Sequence, residues 1–153
     1  MLVFKEGIIV NDNPRPLPER FESLGGRSEV EMKYLCLVYA EPEIWEKMSR
    51  SESEQFDREC REYDEDLRKK GYLILAQPLE SAHTAMTVRI RGGKTSTVDG
   101  PFAETKEHLC GFVLIEAKDL NLALGIASRS PFARWGSVEV RPALEPVKPA
   151  FVR

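Results

Sequence analysis

Histidine, carboxylate and guanidinium side chains are the residues from which proton-transfer and anion-binding sites are built. The chain carries two histidines, His83 and His108, and each is a candidate general acid or base. Asp99, in Asp99-Gly100-Pro101, is a third candidate. Its carboxylate can accept backbone amides within the turn, and it can also act as a base or polar anchor at a pocket edge. Lys106 and Glu107 follow closely, and an ammonium beside a carboxylate can hold substrate charge or relay a proton. Arg89 lies in a strand-like segment and can grip an anionic ligand with two parallel hydrogen bonds. The expected catalytic set is therefore Asp99, His83 and His108, with Arg89, Lys106 and Glu107 as ligand-binding residues.

The bland alternatives are specific. Asp-Gly-Pro is a turn former in its own right: glycine tolerates unusual φ and proline fixes the next one. A surface Lys–Glu–Asp trio contributes little to stability. No metal site is expected, since two histidines so far apart show no ligand spacing and the three cysteines (Cys36, Cys60, Cys110) form no C-x-x-C. No phosphate-binding loop, dinucleotide fingerprint or nucleophile elbow occurs, and no cofactor is expected.

These residues must be positioned by a fold, and the patterning indicates which one. Tyr34–Tyr39 is an apolar run of strand formers closed by Glu41-Pro42. Phe56, Cys60, Tyr63 and Leu67 recur at helical spacing, with Ser51 or Ser53 as the expected cap and Gly71 as the stop. Tyr72–Ala76 is a second strand. Met86, Val88 and Ile90 alternate with polar residues before Gly92-Gly93, and Thr95–Val98 returns, which is a hairpin pattern. Gly111–Glu116 is another apolar strand. Asp119 caps a helix from Leu120 to about Arg129, ended by Pro131, and Ser137–Arg141 is the last strand. The order predicts an α+β fold: a split βαβ arrangement with an antiparallel sheet, an inserted hairpin and two helices on one sheet face. The opposite sheet face needs a cover, and a second copy of the chain is the economical one.

Composition excludes other classes. The chain has 153 residues, enough for one domain with a core, with 42% hydrophobic and 31% charged residues. Net charge is −3, and the one dense basic group, Arg68-Lys69-Lys70, ends a predicted helix where the helix dipole favours it. No nucleic-acid partner is expected. No apolar run reaches the roughly 20 residues of a transmembrane helix, and no secretory signal is read at the N-terminus, so no membrane partner and a cytoplasmic location are expected. Residues 1–31 contain Pro14, Pro16, Pro18 and Gly25-Gly26 and read as a loose extension or a start-site artefact ahead of Met32. Residues 32–144 form the expected domain and 145–153 a tail.

Four stretches carry a resemblance: Met32-Lys33-Tyr34-Leu35, Thr87-Val88-Arg89, Val98-Asp99-Gly100-Pro101-Phe102-Ala103-Glu104-Thr105-Lys106-Glu107 and Val138-Glu139-Val140-Arg141-Pro142. Together they resemble the DGPF branch of the YCII-related family over 32–144. The resemblance implies a bacterial, dimeric α+β barrel with a ferredoxin-like protomer, a homodimer through the sheet faces. It leaves the activity open. One implied role is binding of an unknown small molecule or cofactor-independent acid/base catalysis. The other is a non-catalytic sensor or interaction module linked to an extracytoplasmic-function sigma factor. A histidine and an aspartate in the YCII branch suggest an enzyme there. The corresponding positions here are near Cys60 and at Ser130, so that pair is absent as such.

Overall fold

The computed structural model describes residues 32–144, so the expected extension (1–31) and tail (145–153) lie outside the described residues. Strand β1 is Met32–Ala40, and its alternate residues Tyr34, Cys36, Val38 and Ala40 are buried. That is the period of a strand with one face on the core. Helices α1 (Glu43–Lys47) and α2 (Arg50–Lys69) lead to β2 (Leu73–Pro78). The hairpin β3 (Met86–Arg91) and β4 (Lys94–Asp99) comes next, then β5 (His108–Ala117), α3 (Leu120–Ala127) and β6 (Ser137–Pro142). Four strands form one sheet in the order β2-β5-β1-β6, all antiparallel, and β3-β4 form a separate two-stranded sheet. The fold is α+β, with antiparallel sheets.

Local chemistry explains the helix boundaries. The cap of α2 is Ser49, not Ser51 or Ser53: Glu52 N–H donates to Ser49 Oγ (3.3 Å), and Ser49 N–H donates to Glu52 Oε2 (2.8 Å). This reciprocal capping box satisfies two amides that the first turn cannot use. At the other end Gly71 takes φ +75°. Its N–H donates to Arg68 O (3.1 Å), and Tyr72 N–H donates to Leu67 O (2.9 Å), which closes a Schellman motif. In α3 the Asp119 carboxylate accepts Leu122 N–H at 2.8 Å. Two single-turn 3-10 helices, Ala82–Thr84 and Pro131–Arg134, and the one-turn α1 have no sequence period and were not anticipated.

Tyr34, Cys36, Leu67, Ile115, Ala117, Ala123 and Ile126 form the core between the sheet and helices α2 and α3. Tyr63 ties the helices together, its hydroxyl donating to Ile126 O at 3.0 Å. On the other sheet face Leu35, Leu37 and Tyr39 stand opposite Leu114, Phe112 and Leu109, each half-buried. Among the described residues no helix is long and apolar enough to cross a membrane.

One irregularity in the sheet matters for the site. Val38 pairs with Gly111 but Tyr39 pairs with Leu109, so Cys110 is an extra residue in β5. A bulge of this kind resets the alternation beyond it. Leu109 therefore shares a side with Tyr39 instead of with Gly111. The Cys110 thiol donates to Val38 O at 3.4 Å, holding the bulge in place.

Candidate functional site

The segment from Asp99 to Glu107 is anchored at both ends by backbone and side-chain bonds. Gly100 adopts φ +106°, a region that favours glycine. Its N–H donates to Ala85 O (2.7 Å), and its carbonyl accepts the Thr87 hydroxyl (2.9 Å). At the far end Thr105 Oγ1 donates to Glu107 O. The Lys106 ammonium meets the Glu41 carboxylate at 2.8 Å, and Glu107 Oε2 accepts the Ser137 hydroxyl at 2.9 Å. The loop is thus clamped to the hairpin, to the end of β1 and to β6. The Glu41 carboxylate raises the Lys106 pKa above its ordinary value.

Beneath this loop lies a cavity of about 630 Å³, walled by Tyr39, Leu79, Phe102 and Leu109 with Glu80, Ser81, Thr84, Thr105 and His108 as its polar residues. Ligand sites are commonly of this composition, mostly apolar with a few convergent polar atoms. His108 opens β5, paired with Ala40. His83 sits on the 3-10 turn, whose Ser81 side chain accepts the His83 N–H at 3.3 Å. The two imidazoles, distant in sequence, meet edge-to-face with ring centroids 6.0 Å apart. Phe102 is 81% exposed at the cavity mouth, and the Arg89 guanidinium lies 5.9 Å from its ring centroid. Such a cation–π contact contributes about 0.5–1 kcal/mol at an exposed position.

The structure brings together His83 with His108, and Arg89 with Phe102. It does not assemble Asp99, Lys106 and Glu107 into one group. Asp99 is exposed at the end of β4 opposite Met86 and is not part of the cavity wall. Lys106 and Glu107 face Glu41 and Ser137 instead. Tyr39, Ser81, Thr84 and Phe102 were not identified as site residues from sequence. The usable signals were the Ser81-x-His83 spacing of a hydroxyl-capped turn and an aromatic residue following Gly-Pro in a loop. Among the described residues no three His, Cys, Asp or Glu side chains cluster as metal ligands. Cys60 is half-buried on the inner side of α2 and Ser130 is buried ahead of Pro131, and both line a second cavity between α2 and the sheet.

The YCII-related domain family matches residues 32–146, which contain every element described above. The chain belongs to the YCII-related domain family. This YCII-related chain is also 36% identical over 113 residues to an uncharacterized protein of Rhizobium meliloti (strain 1021), covering 72% of the chain and 91% of that relative. The family match includes the whole hairpin and the loop that roofs the cavity.

Proposed function

We propose that this YCII-related protein binds a small molecule in the cavity beneath the Asp99–Glu107 loop and carries out cofactor-independent proton transfer on it. His108 and His83 are the acid and base of this reading. The observation that supports it is that His108 lines a largely apolar cavity of about 630 Å³ with the His83 ring, itself outside the cavity wall, 6.0 Å from its own. An apolar body would contact Leu79, Leu109 and Phe102, while an anionic or carbonyl group would be oriented by His108 and by Arg89 at the mouth. Asp99, exposed at a strand end, serves the turn, and Lys106 and Glu107 hold the loop that carries Phe102.

A thermal-shift screen of small carboxylates and carbonyl compounds tests this. Compounds that raise the wild-type Tm are expected to lose that shift in His108→Ala and Phe102→Ala and to keep it in Asp99→Asn. Hits that persist unchanged in His108→Ala would remove the cavity from the function.

The same reading extends to assembly. The strand order β2-β5-β1-β6, with the hairpin set aside, supports a ferredoxin-like protomer, and the Asp99–Glu107 motif supports membership of the DGPF branch. Leu35, Leu37, Phe112 and Leu114 would be covered by a second copy, closing a dimeric α+β barrel. Three free cysteines fit a reducing, cytoplasmic location. Light scattering on a sizing column is expected to give twice the chain mass for wild type and the chain mass for Leu37→Asp; a monomeric wild type would contradict the barrel.

A second reading draws on the hairpin, where Met86, Val88 and Ile90 share one face and are 64%, 61% and 62% exposed. A stripe of this kind marks a protein-contact surface and favours a non-catalytic module acting on a sigma factor of the extracytoplasmic-function class. It requires that Val88→Asp/Ile90→Asp abolish that association while the small-molecule screen yields no cavity ligand.

A further inference from the structure

A second cavity, of about 320 Å³, lies between α2 and the sheet, apart from the histidine pair. Helix α2 presents Asp57, Cys60, Arg61 and Asp64 to it; the spacing puts them on one helix face. The rest of the lining is mostly apolar, with Val38 and Gly111 from the sheet, Phe56 from α2 and Phe132 from the 3-10 turn, and with Gln77 and Ser130 as further polar residues. Phe56 and Phe132 pack edge-to-face with centroids 4.9 Å apart, and Trp45 backs both rings at 5.4 and 6.0 Å. The site therefore has an aromatic wall facing two carboxylates.

We propose that this cavity binds an organic amine: an aromatic or aliphatic body seated against Phe56 and Phe132, with its ammonium held by Asp64 and Asp57. Three observations support the sign of charge. Asp64 is half-buried, and burial raises its pKa more than the Arg68 charge lowers it, so Arg68 offsets its carboxylate only in part. The Cys60 thiol, which lines the same wall, is pushed up to about 12, first by burial and then by the charges of Asp64, Asp57 and Glu59 against Arg134. Burial disfavours either sign of charge, but the carboxylate contribution that disfavours a thiolate at this position favours a cation there. Of the nearby cations, Arg134 is engaged by the Glu59 carboxylate, while Arg61 lines the cavity with its side chain largely exposed. Aromatic faces add attraction for an ammonium group.

The test compares three probes with one shared body, 2-phenylethylamine, 2-phenylethanol and 3-phenylpropionate, titrated at neutral pH into full-length protein and followed by amide NMR and calorimetry. The amine is expected to perturb Cys60, Gly111 and Phe132 and to bind at least tenfold more tightly than the alcohol, with the carboxylate weakest. Asp64→Asn removes a charge that burial disfavours, so it is expected to fold and to weaken the amine about tenfold while leaving the alcohol unchanged. Asp57→Asn is expected to weaken the amine less and provides the readout should Asp64→Asn misfold. His108→Ala, in the other cavity, is expected to leave amine binding unchanged. Equal affinity for amine and alcohol, undiminished amine binding in Asp64→Asn, or perturbations confined to other surfaces would overturn the proposal, as would the absence of any binding by the amine.

Discussion

Replacing Gly136 by alanine is expected to cost about 3 kcal/mol, as severe overpacking does. Gly136 joins the 3-10 turn at Pro131–Arg134 to β6, its N–H donating to Phe132 O at 2.9 Å. A Cβ there would stand 2.0 Å from Tyr39 O, 3.0 Å from Tyr39 C and 3.1 Å from Ala40 Cα. All three are backbone atoms at the end of β1, so no side chain can swing aside. Relief requires β6 to move away from β1 where Tyr39 pairs with Ser137. Gly125 is the control. It sits inside α3 with nothing within 4 Å of a built Cβ, and alanine there is expected to stabilise by about 1 kcal/mol through helix propensity. Urea unfolding of both variants checks the pair. A Gly136→Ala protein within about 0.5 kcal/mol of wild type, the range of ordinary surface changes, would contradict the close approach of these strands.

Leu67→Ala is expected to cost about 3 kcal/mol, the middle of the range for leucine truncation in a core. Leu67 is 0% exposed and packs within the cluster that includes Tyr34, Ile115 and Ile126. It also supplies the carbonyl that closes the Schellman motif, but that bond comes from the backbone and survives the substitution. The loss is therefore one of packing: buried methyl groups removed and a cavity left between α2 and the sheet. Ile90→Ala on the hairpin, at 62% exposure, is expected to change stability by less than about 0.5 kcal/mol. Denaturant unfolding again reads both. An Ile90 loss approaching that of Leu67 would mean that the hairpin stripe is covered in solution, and a small Leu67 loss would contradict the assignment of the core.

What was legible in the sequence was what local chemistry dictates. Gly71 as helix stop, Asp119 as helix cap and the strand character of β1 and β6 depend on residues within a few positions of one another. The antiparallel layout with an inserted hairpin follows from the order of those elements. Ser49 was legible in principle, since Ser49-x-x-Glu52 is a capping box, but the apolar period of α2 begins only at Phe56 and drew the start inward. The one-turn elements at Glu43–Lys47, Ala82–Thr84 and Pro131–Arg134 are too short to show a period.

The site was less legible because its contacts are long-range. His83 and His108 were both candidates, yet nothing local indicates that β5 returns beside the Ser81 turn. The bulge at Cys110, which brings Leu109 alongside Tyr39, is equally invisible in an apolar strand. Lys106 read as a neighbour of Asp99 and Glu107, but the fold offers it Glu41, at the end of β1. Asp99 was the strongest single candidate because it headed a distinctive motif. In the fold that motif shapes the roof of a cavity, and the cavity's ionisable side chains come from elsewhere in the chain.

The measurement that tests this account most directly is a fragment screen by amide NMR on the full-length protein, using neutral and anionic compounds and mapping where each binds. The account predicts that perturbations concentrate on Tyr39, Ser81, Thr84, Phe102 and His108 and that they disappear in His108→Ala. Hits that map consistently elsewhere, or that leave these residues unmoved, would contradict it.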